Sequence, residues 1–293
     1  MIETISGDCL TCLDNIDYGK FDLTFLDPPF NQGKEYRNHK DNLPESVYWE
    51  WMKDVCRKIL ELSSDGAALY FLQREKNTGE VLRIIKETGW TLQNLVIWKK
   101  NTSAIPGMYR FGKHYQIIAF ATKGSRPRVF HWLRIDPPLP NAYRFQRKDG
   151  VYLTDVWDDI RELTSGYFAG DEALRAENGE RIHKQQSPIH LLLRILLSST
   201  NPGDLVLDPF AGTGTTSVVA QQLQRRSVGI EIDEENVIAK KERIEDFRKS
   251  DDILRYADYY AYTPEIENIW GQQPKRSKLY QGRSQLHLSC TGS

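Results

Sequence analysis

The sequence predicts an α/β fold built on a parallel sheet, and three observations carry that reading. Short apolar runs of strand length alternate with longer segments of helical period. Residues 205–231 set out a strand, a glycine loop, a helix, a second strand and an acid, the order of a nucleotide-binding βαβ unit. Hydrophobic residues are 40% of the 293 and charged residues 27%, ordinary for a chain that buries a sizeable core. Disordered, collagen and coiled-coil readings are thereby excluded.

Each element has a local reason. Phe21–Leu26 reads as a buried strand that stops at Asp27-Pro28-Pro29, where the ladder loses its donors. Residues 46–62 carry apolar side chains at helical spacing, Asp65-Gly66 closes that unit, and Ala67–Phe71 is the next strand. Residues 75–88 are helical and Gly89 supplies the stop. Strands follow at 91–98 and 115–122. Ser187-Pro188, a cap and a first-turn proline, opens an apolar helix over 188–199. Residues 201–204 turn into a short strand at 205–207, and a helix starts near Thr215. A strand at 227–232 and a charged helix over 234–248 complete the set. Residues 250–293 lose periodicity and predict a loosely packed tail.

The formal charge of −1 hides strong local bias. Residues 110–150 hold nine Lys/Arg and two acids, interleaved with Tyr, Phe, His and Trp, a composition that suits phosphates and bases. Residues 151–182 reverse the sign with eight acids against three Arg, and 271–293 hold four basic residues and no acid. Mean hydropathy is −0.55 and no run approaches the ~20 apolar residues of a membrane span. Met1–Thr4 has no basic, apolar leader pattern, and four cysteines make no disulfide scaffold, so a cytoplasmic location is expected. The Cys9-x-x-Cys12 pair has no second pair to complete a zinc ribbon, and no metal is expected.

Two motifs carry chemistry. LVLDPFAGTGTT at 205–216 runs a strand into Gly212 and Gly214 and then a helix, and Glu231 follows seventeen residues past Gly214 at the next strand's end. Glycines let a ligand approach the backbone, and an acid there accepts from ribose hydroxyls. No GK[ST] follows the glycines, so this is not a P-loop, and Ser217 stands where a dinucleotide fingerprint has its third glycine. The second motif is Asp27-Pro28-Pro29-Phe30. Asp27 and the Pro28 carbonyl are acceptors and Phe30 is a flat face, a set that suits a planar ring with an exocyclic NH2. Asp136-Pro137-Pro138-Leu139 repeats the DPP without the aromatic, and it reads as a rigid loop.

FAGTG with its following Glu, together with DPPF, resembles the S-adenosylmethionine-dependent amino-methyltransferases of DNA, which modify adenine N6 or cytosine N4. DPPF precedes FAGTG here, the order of the circularly permuted beta class. Ser6–Leu10, Asn94–Lys99, Phe111–Lys123, Val156–Asp158 and His183–Pro188 resemble further family segments. The resemblance implies a three-layer α/β/α sandwich around a Rossmann-like, mostly parallel sheet of about seven strands, one of them antiparallel. It implies a catalytic domain from 1–123 and 183–249, a target-recognition insertion over 124–182, and a C-terminal extension over 250–293.

It also implies roles. Asp27, Pro28, Pro29 and Phe30 hold a flipped base by its amino group and ring. Asp8 takes the cofactor adenine and Glu231 its ribose. Phe210, Gly212 and Gly214 pack the methionine side, with Asp208, Ala211 and Thr215 completing the loop. Ser187 stands where the family often has Lys, and its hydroxyl is assigned to the cofactor carboxylate. The family often has Tyr at the position of Phe30, so stacking is kept and the phenol hydrogen bond is lost. Adenine is favoured because the cytosine enzymes usually carry Ser where Asp27 stands. The alternatives are N4-cytosine methylation and a non-catalytic DNA-binding protein. The implied cofactor is S-adenosylmethionine with no metal. The implied partner is double-stranded DNA, with a cognate restriction endonuclease and a homodimer as further candidates and no membrane. Arg126, Arg128, Arg144, Arg147 and Lys148 are the expected phosphate contacts.

Overall fold

The computed structural model describes residues 1–33, 41–102, 106–135, 149–163, 170–175, 178–179, 181–182 and 185–271. The chain opens with β1 (Ile2–Ser6), α1 (Cys9–Asn15) and β2 (Phe21–Leu26). Next come α2 (Glu45–Leu62), β3 (Ser63–Arg74), α3 (Thr78–Thr88), β4 (Trp90–Lys99) and β5 (Tyr115–Lys123). Three two-residue strands follow, β6 (Arg134–Ile135), β7 (Val151–Tyr152) and β8 (Val156–Trp157). The last part holds α4 (Ile189–Ser199), β9 (Leu205–Asp208), α5 (Thr215–Gln222), β10 (Arg226–Glu231), α6 (Glu234–Glu245) and α7 (Ile266–Trp270).

Eight strands form one sheet in the order β1-β10-β9-β2-β3-β5-β4-β8, and β6 pairs with β7 apart from it. Every neighbouring pair is parallel except those made by β5, which is antiparallel to β3 and to β4. The expected seven strands with one antiparallel member are present, and β8 adds an eighth at the edge. Parallel strands covered on both faces read as near-continuous apolar runs, and β3 shows the alternation within one. Ala68, Tyr70 and Leu72 face one core with α4 and α5, while Leu69 and Phe71 face the other with α1, α2 and α3. The result is the α/β/α sandwich. No helix of the described residues is long and apolar enough to cross a membrane.

Three expectations are corrected. Asp65-Gly66 does not end a unit, because β3 runs through it from Ser63. Residues 250–271 are not loose: 3-10 turns and α7 drive Ile253, Tyr260, Ile266 and Trp270 into the core. Such turns bury single side chains at irregular spacing, so no helical period marks them. Within 124–182, Leu133, Trp157 and Ile160 lie in the same core as α4 and α5, and β8 pairs with β4. The charged helix α6 ends at Glu245, three residues short of the expected end. The second DPP, at 136–138, and the tail beyond Gly271 lie outside the described residues.

A buried ion pair joins three parts of the chain. Arg194 of α4 is wholly buried and donates to both oxygens of Asp159, at 2.8 and 2.5 Å, and to the Tyr260 hydroxyl at 3.1 Å. Tyr259 also donates to Asp159. Burial alone would raise the Asp159 carboxyl, but the Arg194 charge and these hydrogen bonds bring it down to about 2.

Candidate active site

Parallel pairing of β1, β10, β9 and β2 brings four strand ends to one rim, where open α/β sheets hold their ligands. Asp8 follows β1, Glu231 ends β10, Asp208 ends β9 and Asp27 follows β2. Residues separated by two hundred positions therefore line one pocket. Its walls include Asp8, Asp27, Pro28, Pro29, Phe30, Ser187, Asp208, Phe210, Ala211, Gly212, Thr215 and Glu231. Among the residues assigned to catalysis and cofactor, Gly214 alone is not on that wall.

The Asp27 turn is held rigidly. Tyr48 of α2 donates to the Pro29 carbonyl at 2.8 Å, and Gln73 of β3 donates to the Tyr48 hydroxyl at 3.0 Å. Buried Asp41 accepts from the backbone N–H groups of Asn31 at 2.7 Å and Gln32 at 2.9 Å. Asn31 sits at φ 52° and exchanges two 2.8 Å hydrogen bonds with the Leu43 backbone. A left-handed non-glycine residue is costly unless local bonds fix it, and Asn is the residue type that tolerates it. Phe30 is mostly buried and shows only part of its ring to the pocket.

Ser187 corrects its expected part as a helix cap. Its hydroxyl donates to Asp27 Oδ2 at 2.9 Å, and the α4 N-terminus is served instead by Glu172, which accepts from the Ile189 N–H. Pro188 occupies the N-cap, where it has no side-chain acceptor to offer. Ser187 therefore lines the pocket beside Asp27, with its hydroxyl engaged by that carboxylate and not set aside for a cofactor carboxylate.

At the other end, Asp8 caps α1 by accepting from the N–H and hydroxyl of Thr11, both at 3.0 Å. Glu231 accepts from Gly212 N at 2.7 Å, Asp233 N at 2.9 Å and Asn236 Nδ2 at 3.5 Å. A carboxylate offers about four lone-pair directions, so acceptor capacity is left for a hydroxyl donor. Asp208 closes the loop by accepting from Thr216 Oγ1 at 2.5 Å and Phe210 N at 3.2 Å. Burial pushes Asp208 up to about 6 and raises Glu231 as well.

Lys240 of α6 was invisible as anything but one charge on a charged helix. It is fully buried beneath the loop, its amine lowered to about 8 by burial and drawn up by Asp208 and Glu231. It also explains two glycines. A Cβ on Gly214 would lie 2.4 Å from Lys240 Cγ, and one on Gly229 would lie 2.0 Å from Lys240 Nζ. Gly214 has φ +80°, which favours glycine on its own account. Gly214 thus shapes the turn and seats Lys240 in place of lining the pocket. Trp51 of α2, which lines the pocket and meets Phe210 edge to face at 5.6 Å, was also missed. Its spacing marked it only as part of an apolar helix face.

The basic residues divide. Arg128 pairs with Asp204 at 2.5 Å and with Asp22 at 3.3 Å, at the starts of β9 and β2. Arg126 is exposed and lies just past the end of β5. Because β5 runs antiparallel, its end emerges at the rim opposite the pocket, and both arginines lie there. Arg144, Arg147 and Lys148 lie outside the described residues. Cys9, Cys12 and Cys56 are free thiols.

Comparison with known proteins agrees with this geometry. The model of the N6/N4-type DNA methylase family matches residues 21–242. The chain is 29% identical over 252 residues to the DNA adenine methyltransferase YhdJ of Escherichia coli (strain K12), covering 80% of this chain and 79% of that one. The crystal structure of an M1.HpyAVI–SAM complex superposes with a TM-score of 0.56 at 19% identity, covering 83% of this chain and 99% of that one. The PvuII DNA methyltransferase (cytosine-N4-specific) gives a TM-score of 0.61 at 18% identity, covering 91% and 90%. With the family pattern running through β2, the loop after β9 and most of α6, the chain belongs to the N6/N4 DNA methylase family.

Proposed function

We propose that this DNA methyltransferase moves a methyl group from S-adenosylmethionine to the exocyclic N6 of an adenine flipped out of duplex DNA. The observation that carries the reading is the meeting of Asp27-Pro28-Pro29-Phe30 with the 208–216 loop in one pocket. S-adenosylmethionine, when bound, supplies an electrophilic methyl group. Asp8 and Glu231 are the proposed holders of its adenine and ribose, with Phe210, Ala211, Gly212 and Thr215 around its methionine half. Glu231 still has acceptor capacity and Asp8 sits at the pocket's far side, so the residues fit such a ligand. Asp27 and the Pro28 carbonyl accept the two amino protons, which orients the nitrogen lone pair toward the electrophile. Phe30 offers a ring face to the base, and Ser187 steadies Asp27. The base has to leave the stack to reach them.

The choice of adenine rests on Asp27 and on the likeness in sequence to YhdJ, an adenine enzyme. The permuted beta-class order rests on Asp27 preceding Gly212 in the chain while β2 and β9 are neighbours in the sheet. The division into catalytic domain, recognition insertion and C-terminal extension is retained as part of the proposal, with 250–271 now packed against the catalytic core. A cognate restriction endonuclease and a homodimer complete it. Label from methyl-tritiated S-adenosylmethionine should pass to unmethylated plasmid DNA. Protein that binds the plasmid without labelling it would favour the non-catalytic reading instead.

Two measurements probe the roles separately. Glu231→Ala should weaken S-adenosylmethionine binding by about 1–3 kcal/mol through loss of a buried hydrogen bond. Isothermal titration reads it, and unchanged affinity places the ribose partner elsewhere. Neutralising Arg144, Arg147 and Lys148 together should flatten the slope of log affinity against log salt by about 2–3, at about 0.9 per phosphate contact. A slope that ignores the triple variant removes those residues from the DNA face.

A further inference from the structure

The chain between β4 and β5 emerges at the same rim as the pocket, because β4 runs in the direction of β2 and β3 and β5 returns against them. Its foot is closed by the Lys100 N–H, which donates to the His114 carbonyl at 2.7 Å. Just past the foot, Glu162 accepts from the Asn101 and Thr102 N–H groups at 2.8 and 2.9 Å, which fixes where the chain leaves the sheet. Farther out, a turn from Gly107 to Arg110 is closed by the Arg110 N–H on the Gly107 carbonyl at 3.3 Å. Met108, Tyr109 and Phe111 on and beside that turn are 87%, 93% and 97% exposed.

Single apolar residues on a surface need no explanation, but three large ones almost wholly in water on one turn point to a partner. The stem fixes what kind. Residues 99–115 hold Lys99, Lys100, Arg110 and Lys113 and no acid; Lys113 pairs with Glu75 at 3.0 Å and Lys99 lies 4.0 Å from Asp158, while Arg110 is exposed on the turn itself. An apolar tip beside an exposed arginine suits a polyanion with an apolar interior, which is the make-up of duplex DNA. Proteins that distort a duplex commonly insert Phe, Leu, Ile, Met or Pro between base steps. Flipping one base leaves a gap in the stack, and an apolar side chain entering it recovers part of the lost stacking.

We propose that the Gly107–Arg110 turn is a wedge, with Met108 and Tyr109 filling the space that the flipped base vacates and Arg110 resting on a flanking phosphate. The inference rests on the base-flipping reading above and adds the segment that performs it. Both side chains are exposed, so truncating them leaves the core untouched.

The test begins by sequencing the methylated plasmid to locate the target. Two oligonucleotide duplexes then present that adenine opposite thymine or opposite an abasic site, which lowers the cost of extrusion. The double variant Met108→Ala/Tyr109→Ala should lose about tenfold or more in kcat/KM on the paired duplex, a barrier change of about 1.4 kcal/mol. On the abasic duplex it should come within about twofold of wild type. Tyr109→Trp, which keeps a stacking face, should retain activity on both, and S-adenosylmethionine affinity should be unchanged in every variant. Equal losses on the two duplexes would make the tip an ordinary affinity contact and overturn the wedge, as would no loss on either. Wild-type protein that leaves no methylated position on the plasmid would instead overturn the methyl-transfer reading on which the wedge rests.

Discussion

Asp27→Ala is expected to abolish measurable methyl transfer while S-adenosylmethionine affinity stays within about twofold of wild type. The carboxylate follows β2 and is bonded to Ser187, while Asp8 and Glu231 stand across the pocket at the ends of β1 and β10. Its proposed contact strengthens as the amino nitrogen gains positive character, so it acts on the transition state more than on ground-state binding. Removing one such preorganised electrostatic contact typically costs about 100- to 1,000-fold in kcat. Asp27→Asn keeps one acceptor oxygen and should fall less than Ala. Single-turnover rates with titrated cofactor affinity separate the two effects, and an Ala variant with wild-type turnover would remove Asp27 from the chemistry.

Asp159→Ala is expected to destabilise the fold by about 3–5 kcal/mol, because it strands the Arg194 guanidinium, fully buried, without its carboxylate. The pair joins the segment after β8, helix α4 and the Tyr259–Tyr260 turn, so its loss loosens all three at once. Replacing both partners, Asp159→Leu with Arg194→Met, should recover much of the loss, since no buried charge is then left alone. The sign with pH follows from the carboxyl's position at about 2 in the fold against 3.8 ordinarily. Its contribution is present above about pH 4 and is lost as the pH falls toward 2. Urea midpoints at pH 7 read the difference; a single variant as stable as wild type would mean that water already serves Arg194.

Much of the fold was legible because burial on both faces leaves a local trace. Phe21–Leu26, Leu205–Leu207 and the helix of 46–62 show it directly in their composition. β1 and α1 were not read, because β1 is a half-buried edge strand of mixed character and α1 is barely two turns. The packed turns of 249–271 escaped for want of any period, although Tyr260 and Trp270 are among the most buried side chains.

The site divides in the same way. Asp27, Gly212 and Glu231 were legible because a sharp turn at a strand end imposes its own residue types. Asp41, Trp51 and Lys240 were not, since each acts through a partner brought near only by the finished sheet. Ser187 was legible as important but misread, because a hydroxyl before a proline looks like a cap until Asp27 is seen beside it. The position of Arg126 and Arg128 relative to the pocket was hidden for a related reason. Composition records that a segment is basic, and only strand direction says at which rim it emerges.

The central claim is that this chain methylates adenine at N6. Incubating the wild-type protein with S-adenosylmethionine and unmethylated plasmid, digesting the DNA to nucleosides and weighing the products by mass spectrometry tests it most directly. The account predicts N6-methyldeoxyadenosine as the new nucleoside, absent when Asp27→Ala is used. N4-methyldeoxycytidine, or no methylated nucleoside at all, would contradict it.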